Sequence, residues 1–225
     1  MALISGRRRF FEQTSWWVWL LMLVTIPVTS SPWVARFSGG ETPVSPLSLF
    51  PLGILVLAVL VPKLLTGTKL PAVIWPLLAF LTFTIVSAAI SFSLPLYPFK
   101  GQTHTVRLLR GLLTLAIGVC FYLSAVMIPA RERQIQTSLR ALYIGLIVLL
   151  VWSSVQAWLV LDGLDRIPLF VTRIHHVFSV RDLLGDRVTG MAYEPSWLGD
   201  QIVVLYMPLL VASLARRHSV FSSKK

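Results

Sequence analysis

Long apolar runs separated by short polar breaks set the pattern of this chain. The first, Trp16 to about Val34, follows a short polar stretch holding Arg7, Arg8 and Arg9. Five more cover about 47–62, 70–92, 111–129, 141–161 and 199–215. Each lies near or above the roughly 17–25 residues that a helix needs to cross a bilayer. The pattern therefore predicts about six transmembrane helices. The first run is too long and too aromatic for a signal peptide. Its Trp16, Trp17 and Trp19 suit one membrane interface and Trp33 the other.

The breaks carry their own information. Pro27 and Ser30-Ser31-Pro32 kink or shorten the far end of the first helix. Gly39, Gly40, Pro43 and Pro46 mark a turn-rich loop, and 62–69 reads as a short basic loop. Pro71 suits a first helical turn, and Pro76 implies a bend. Pro95, Pro98 and Gly101 interrupt the pattern before Thr105–Arg110, which reads as amphipathic turns at the surface. Residues 130–140 read as a polar loop. The longest break, 162–198, reads as a polar external loop.

Composition sharpens the class. The chain is 56% hydrophobic and only 13% charged, where soluble domains are about a quarter charged. The expectation is an all-α, polytopic transmembrane bundle, with residues 1–225 forming one transmembrane domain. Net charge is +11, but the bases sit in loops between apolar runs. That favours anionic lipid head groups or an anionic lipid-linked substrate over nucleic acid. Six spans put both termini on one side. With that side cytoplasmic, Arg7, Arg8, Arg9, Lys63, Lys69, Arg131, Arg133, Arg140, Arg216, Arg217, Lys224 and Lys225 lie inside, twelve of the 20 bases. The bias favours an N-in, C-in orientation. Four of the bases left outside, Arg166, Arg173, Arg181 and Arg187, fall in the single loop 162–198. An anionic ligand on the external face is the reading that follows.

Chemistry concentrates in Arg187–Asp200, beside the last apolar run, where polar and helix-breaking residues are costly unless they line a polar cavity or meet a charged ligand. The planar, permanently charged guanidinium of Arg187 matches phosphate oxygens bidentately. Thr189-Gly190 lets the backbone approach such a ligand. Glu194 is placed to orient the arginine or to accept a sugar hydroxyl proton, while Pro195-Ser196 begins the last helix and Ser196 suits its N-cap. Arg173 and Arg181 are further substrate-binding candidates. The plainer alternatives are that Arg187 pairs with Asp186 or Glu194, and that Glu194 is a capping or pairing residue. The adjacent His175 and His176 point in different directions on a helix or strand, so no shared metal is expected. His104 reads as an interfacial polar residue. Cys120, the single cysteine, sits mid-run and reads as a small buried hydrophobe. No cofactor is expected.

The segment Arg187-Val-Thr-Gly-Met-Ala-Tyr-Glu-Pro-Ser-Trp-Leu-Gly resembles the bacterial O-antigen ligase and Wzy-type O-antigen polymerase families. Arg187, Gly190, Glu194, Pro195 and Ser196 carry the resemblance. It implies metal-independent glycosyl transfer at the external face of the inner membrane, from a glycan on undecaprenyl diphosphate, with Arg187 on the diphosphate. Those families carry a second large external loop with another arginine and a histidine, and no residue here matches that histidine. The expectation is a truncated or split member, or one that needs a second polypeptide. The competing expectation is a non-enzymatic transport or assembly subunit of a polysaccharide export system.

Overall fold

The computed structural model describes residues 2–37, 44–67, 71–94, 97–98, 101–162, 168–215 and 221, with backbone alone for 2–10. Gly39, Gly40, Pro43, Lys69, Pro95, Arg166 and the basic tail residues Arg216, Arg217, Lys224 and Lys225 lie outside them. The described residues are helical and contain no strand. Four helices are long and apolar enough to cross a membrane: Ala72–Phe92, His104–Met127, Glu132–Leu161 and Pro195–Ala215. A shorter apolar helix covers Leu49–Leu65. The chain divides into two compact units, Met1–Leu55 with Pro129–Lys225, and Val56–Ile128.

The first unit is built on α1 (Ala2–Thr25), which packs against α3 (Leu49–Leu55) and α7 (Glu132–Leu161). The indole of Trp19 donates to Ser138 Oγ at 2.8 Å, tying α1 to α7. A Cβ on Gly145 would lie 2.9 Å from the Val24 carbonyl, so only glycine permits this closeness of the two backbones. Tyr143, Leu146, Leu149 and Trp152 of α7 form the core with Val171, Met191, Leu198 and Tyr206.

Helix α1 differs from the expected 16–34. It begins at Ala2, ahead of the three arginines, and ends at Thr25, and a separate short helix, α2 (Pro32–Phe37), follows. Pro27 lacks an amide hydrogen and disfavours helical backbone at Ile26. The freed segment finds other partners. Ser31 N donates to the Ser45 carbonyl at 2.8 Å, Ser45 N to Thr29 O at 3.0 Å, and Val180 N to Ser30 O at 2.9 Å. Ser30, Ser31, Ser45 and Ser179 are all fully buried there. Their small side chains let three stretches of backbone meet.

The second unit holds a π-helical segment Val56–Leu60 running into α4 (Val61–Leu65), a 3-10 turn Ala72–Ile74 leading into α5 (Trp75–Phe92), and α6 (His104–Met127). Helix α6 is continuous where amphipathic turns and a separate span were expected; Thr103 caps it by accepting from Val106 N at 3.4 Å. Lys63, expected in a loop, is helical, and its ammonium donates to the Met127 carbonyl at 2.8 Å. A cation there satisfies a carbonyl left open at a helix C-terminus. Tyr122 donates to the Val73 carbonyl at 2.7 Å.

Two prolines sit inside apolar helices without ending them. Pro62 follows the π-helical segment Val56–Leu60 by two residues. Pro208 stands in the same relation to a second one, Gln201–Tyr206, which joins α9 (Pro195–Asp200) to α10 (Met207–Ala215). A widened π turn relieves the clash between a proline ring and the carbonyl four residues back. Similarly, 130–140 is not a loop: α7 starts at Glu132, with Gln134 Oε1 accepting from Arg131 N at 3.1 Å and Ala130 N at 2.9 Å. The last helix begins at Pro195, at the Pro195-Ser196 step and four residues ahead of the apolar run 199–215.

Candidate functional site

The stretch 162–198 is folded over its described part. It contains α8 (Leu169–Phe178), a connecting segment, and the start of α9. The connection is held by a residue that lies outside it. Gln156, 2% exposed on α7, accepts from Thr189 N at 3.0 Å and Gly190 N at 2.9 Å through Oε1. Its Nε2 donates to the Gly190 carbonyl at 2.9 Å and lies 3.4 Å from His175 Nδ1. One amide thereby satisfies three backbone groups that burial would otherwise strand.

Gly190 is required on two counts. Its φ of +62° lies in the left-handed region that glycine tolerates. A Cβ would also fall 2.9 Å from Ser153 Oγ and 3.0 Å from both Leu149 Cδ1 and Leu198 Cδ1.

The bonding fixes the state of His175. Because Gln156 Oε1 takes two amide hydrogens, its Nε2 must face the imidazole, and Nδ1 accepts. The neutral ring therefore carries its proton on Nε2. Its solvent exposure is nil, and it stacks on Trp152 with ring centroids 6.2 Å apart. Burial is the main cause that lowers its pKa to about 4. The next residue, His176, faces outward and pairs with Asp182 at 3.2 Å. No group of three potential metal ligands occurs among the described residues.

The sequence-selected residues separate into distinct roles. Arg187 is exposed and gives two hydrogen bonds to one oxygen of Asp186, from Nε at 3.0 Å and Nη2 at 2.6 Å. That bond holds the Asp186 carboxyl below its ordinary range and raises the Arg187 guanidinium above its own. Arg181 acts as a strut: its Nη1 donates to the Tyr193 carbonyl at 3.0 Å and its guanidinium carbon stands 5.0 Å from the Tyr193 ring centre. Tyr193 in turn packs against Trp197, centroids 5.8 Å apart. Arg173 is exposed on α8.

Glu194, not Ser196, is the N-cap residue of α9, with Pro195 in the first turn. The Glu194 carbonyl accepts from Trp197 N at 3.1 Å and Leu198 N at 3.3 Å. Its carboxylate is 3.5 Å from Ser196 Oγ. No hydrogen bond or ion pair joins Arg187 to Glu194. Proline at 195 has no amide to be capped and locks the first helical φ, which places the cap two residues earlier than a serine-based rule suggests.

Gln156 is the residue that sequence reasoning passed over, and His175 was weighed there only as a metal ligand. A signal for Gln156 exists, since it is the one amide side chain within the apolar run 141–161. Burying an amide is costly unless it is hydrogen-bonded, so its partners had to be polar groups from elsewhere in the chain. The chain matches no protein-family model, no curated protein and no solved structure.

Proposed function

We propose that this protein is a bacterial inner-membrane component of surface-polysaccharide assembly, and that it binds the diphosphate of an undecaprenyl-diphosphate-linked glycan through Arg187. In this reading α1, the helix Leu49–Leu65 and the four long apolar helices make six spans, with both termini cytoplasmic and the segment after α8 external. The observation that carries it is the brace beneath Arg187. Gln156 and Gly190 anchor the backbone three residues away, while the guanidinium itself faces outward on an exposed turn. A cation on a fixed base, satisfied only by a neighbouring exposed carboxylate, exchanges that partner for a phosphate at little cost, since exposed ion pairs contribute little. Gly190 is buried with its backbone groups held by Gln156 and fixes the turn rather than meeting the ligand, as the sequence had suggested; Pro195 and Ser196 shape the approach, and Arg173 adds positive charge.

Transfer of the glycan requires a base for the acceptor hydroxyl. Glu194 is the residue proposed for it, and the reaction class is ligation or polymerisation of O-antigen type. A second reading, a non-enzymatic transport or assembly subunit, draws on a specific observation. His175 is sealed and neutral, His176 lies 3.2 Å from the Asp182 carboxylate, and no hydrogen bond or ion pair joins Glu194 to Arg187. A second polypeptide would then complete the site.

Complementation decides between them. In a strain lacking its own ligase or polymerase, the transfer reading expects the native chain to restore polymer attachment or length, and Arg187→Ala and Glu194→Gln to fail while still inserting. If only the native chain and Glu194→Gln bind undecaprenyl diphosphate and no variant restores polymer, the assembly reading stands. Equal binding of undecaprenyl diphosphate by the native chain and Arg187→Ala sinks both.

A further inference from the structure

The helix α8 is turned inside out for a surface helix in water. Its exposed side carries Leu169, Phe170, Ile174 and Val177, 77%, 65%, 42% and 56% exposed, while the polar His175 is buried. These four recur at a spacing that places them on one face; Arg173 lies on that face and His176 at its edge, both exposed. Helix α2 packs against α8, and the Val180–Ser30 backbone bond ties the end of one to the approach of the other. It repeats the pattern: Trp33 and Phe37 are exposed at 58% and 82%, with the Arg36 guanidinium 5.6 Å from the Trp33 ring centre. Neither helix contains an acidic residue.

From this we infer that α2 and α8 form an in-plane platform seated in the polar–apolar boundary of the bilayer, with Arg36 and Arg173 on anionic lipid head groups. An apolar face outward suits acyl chains, into which such helices sink about 5–10 Å. Tryptophan and arginine beside that face are the residue types that sit at head-group level. Among the described residues no acid pairs with Arg36 or Arg173 and neither helix holds one, and positive charge so placed selects negative lipid. The stretch 162–198 is thus a membrane-seated element in part, and not a loop in free water. Arg173 is common to this inference and the diphosphate reading, but neither Arg187 nor Glu194 takes part here, and quenching of labels at 174 and 177 is read without any diphosphate ligand.

The test uses the full chain with Cys120→Ser, reconstituted in vesicles and labelled with a small fluorophore at one introduced cysteine. Ile174→Cys and Val177→Cys report on the platform, Asp182→Cys on a solvent-facing side chain, and Val171→Cys on the protein interior. Acyl-brominated lipids are expected to quench the labels at 174 and 177, whereas aqueous iodide quenches only the label at 182. Brominated phosphatidylglycerol should quench more strongly than brominated phosphatidylcholine at 174, and Arg36→Ala with Arg173→Ala should abolish that difference. Iodide quenching at 174 and 177 would show a water-facing surface and overturn the proposal. Protection from both quenchers, as at 171, would mean that a polypeptide covers the face, which overturns it equally. Equal quenching by the two lipids would remove the anionic-lipid part.

Discussion

Replacing Gln156 with leucine isolates what holds the segment before α9. Leucine fills a similar volume on α7 but offers no polar atom. Three buried backbone groups lose their partner: Thr189 N–H, Gly190 N–H and the Gly190 carbonyl. His175 Nδ1 loses its donor as well. A stranded buried polar group costs about 1–3 kcal/mol. Partial opening of the segment to water would rescue some of them, so a net cost of about 4 kcal/mol is expected. At about 1.4 kcal/mol per tenfold, amide exchange at Thr189 and Gly190 should accelerate roughly a thousandfold, while amides of α1 and α7 near Trp19 and Ser138 keep their protection. Hydrogen exchange with mass spectrometry on reconstituted protein reads this directly. Gln156→Glu serves as the partner experiment: it keeps the acceptor for the two amides but sets a second carboxylate oxygen against the Gly190 carbonyl. Its exchange should fall between native and leucine. Unchanged exchange at Thr189 and Gly190 in Gln156→Leu would refute the assignment of Gln156 as the anchor.

Other consequences are open to measurement. Gly190→Ala meets both a positive φ and contacts at 2.9–3.0 Å; such strain costs about 1–3 kcal/mol, visible as a lower thermal midpoint. For His175, whose folded pKa lies near 4 against an ordinary 6.5, the unfolded chain binds a proton that the native state refuses. Stability should therefore fall as pH drops from about 6.5 to about 4, by on the order of 3 kcal/mol, and level off below. Denaturation midpoints measured across that window should lose most of this slope in His175→Gln. Asp186→Asn removes the carboxylate that occupies Arg187. Thermal stability should stay level, as expected for an exposed pair, while affinity for undecaprenyl diphosphate rises; a fall in affinity would contradict the partner-exchange argument.

The hydrophobic pattern alone determined the class of this protein. An apolar run of span length satisfies its backbone within itself when helical, so the helical fold was legible residue by residue, as in 70–92 and 199–215. Helix ends were not, because they depend on local exchange of partners. Gln134 reaching back to Arg131 extended α7 through charged residues, and a π turn carried a helix past Pro62. The run of polar and helix-breaking residues before α9 was also readable, since Arg187, Gly190 and Glu194 stand out against apolar surroundings. What only the tertiary structure decided is who meets whom. Arg181 became a strut on Tyr193, Arg187 took Asp186, and Gly190 was fixed by Gln156 from 34 residues earlier. A linear sequence marks Gln156 as a costly group in an apolar helix but cannot say which distant backbone relieves it. That choice is made by packing, through the burial of Thr189 and Gly190 against α7, where each unpaired amide would cost more than the ordering of one side chain.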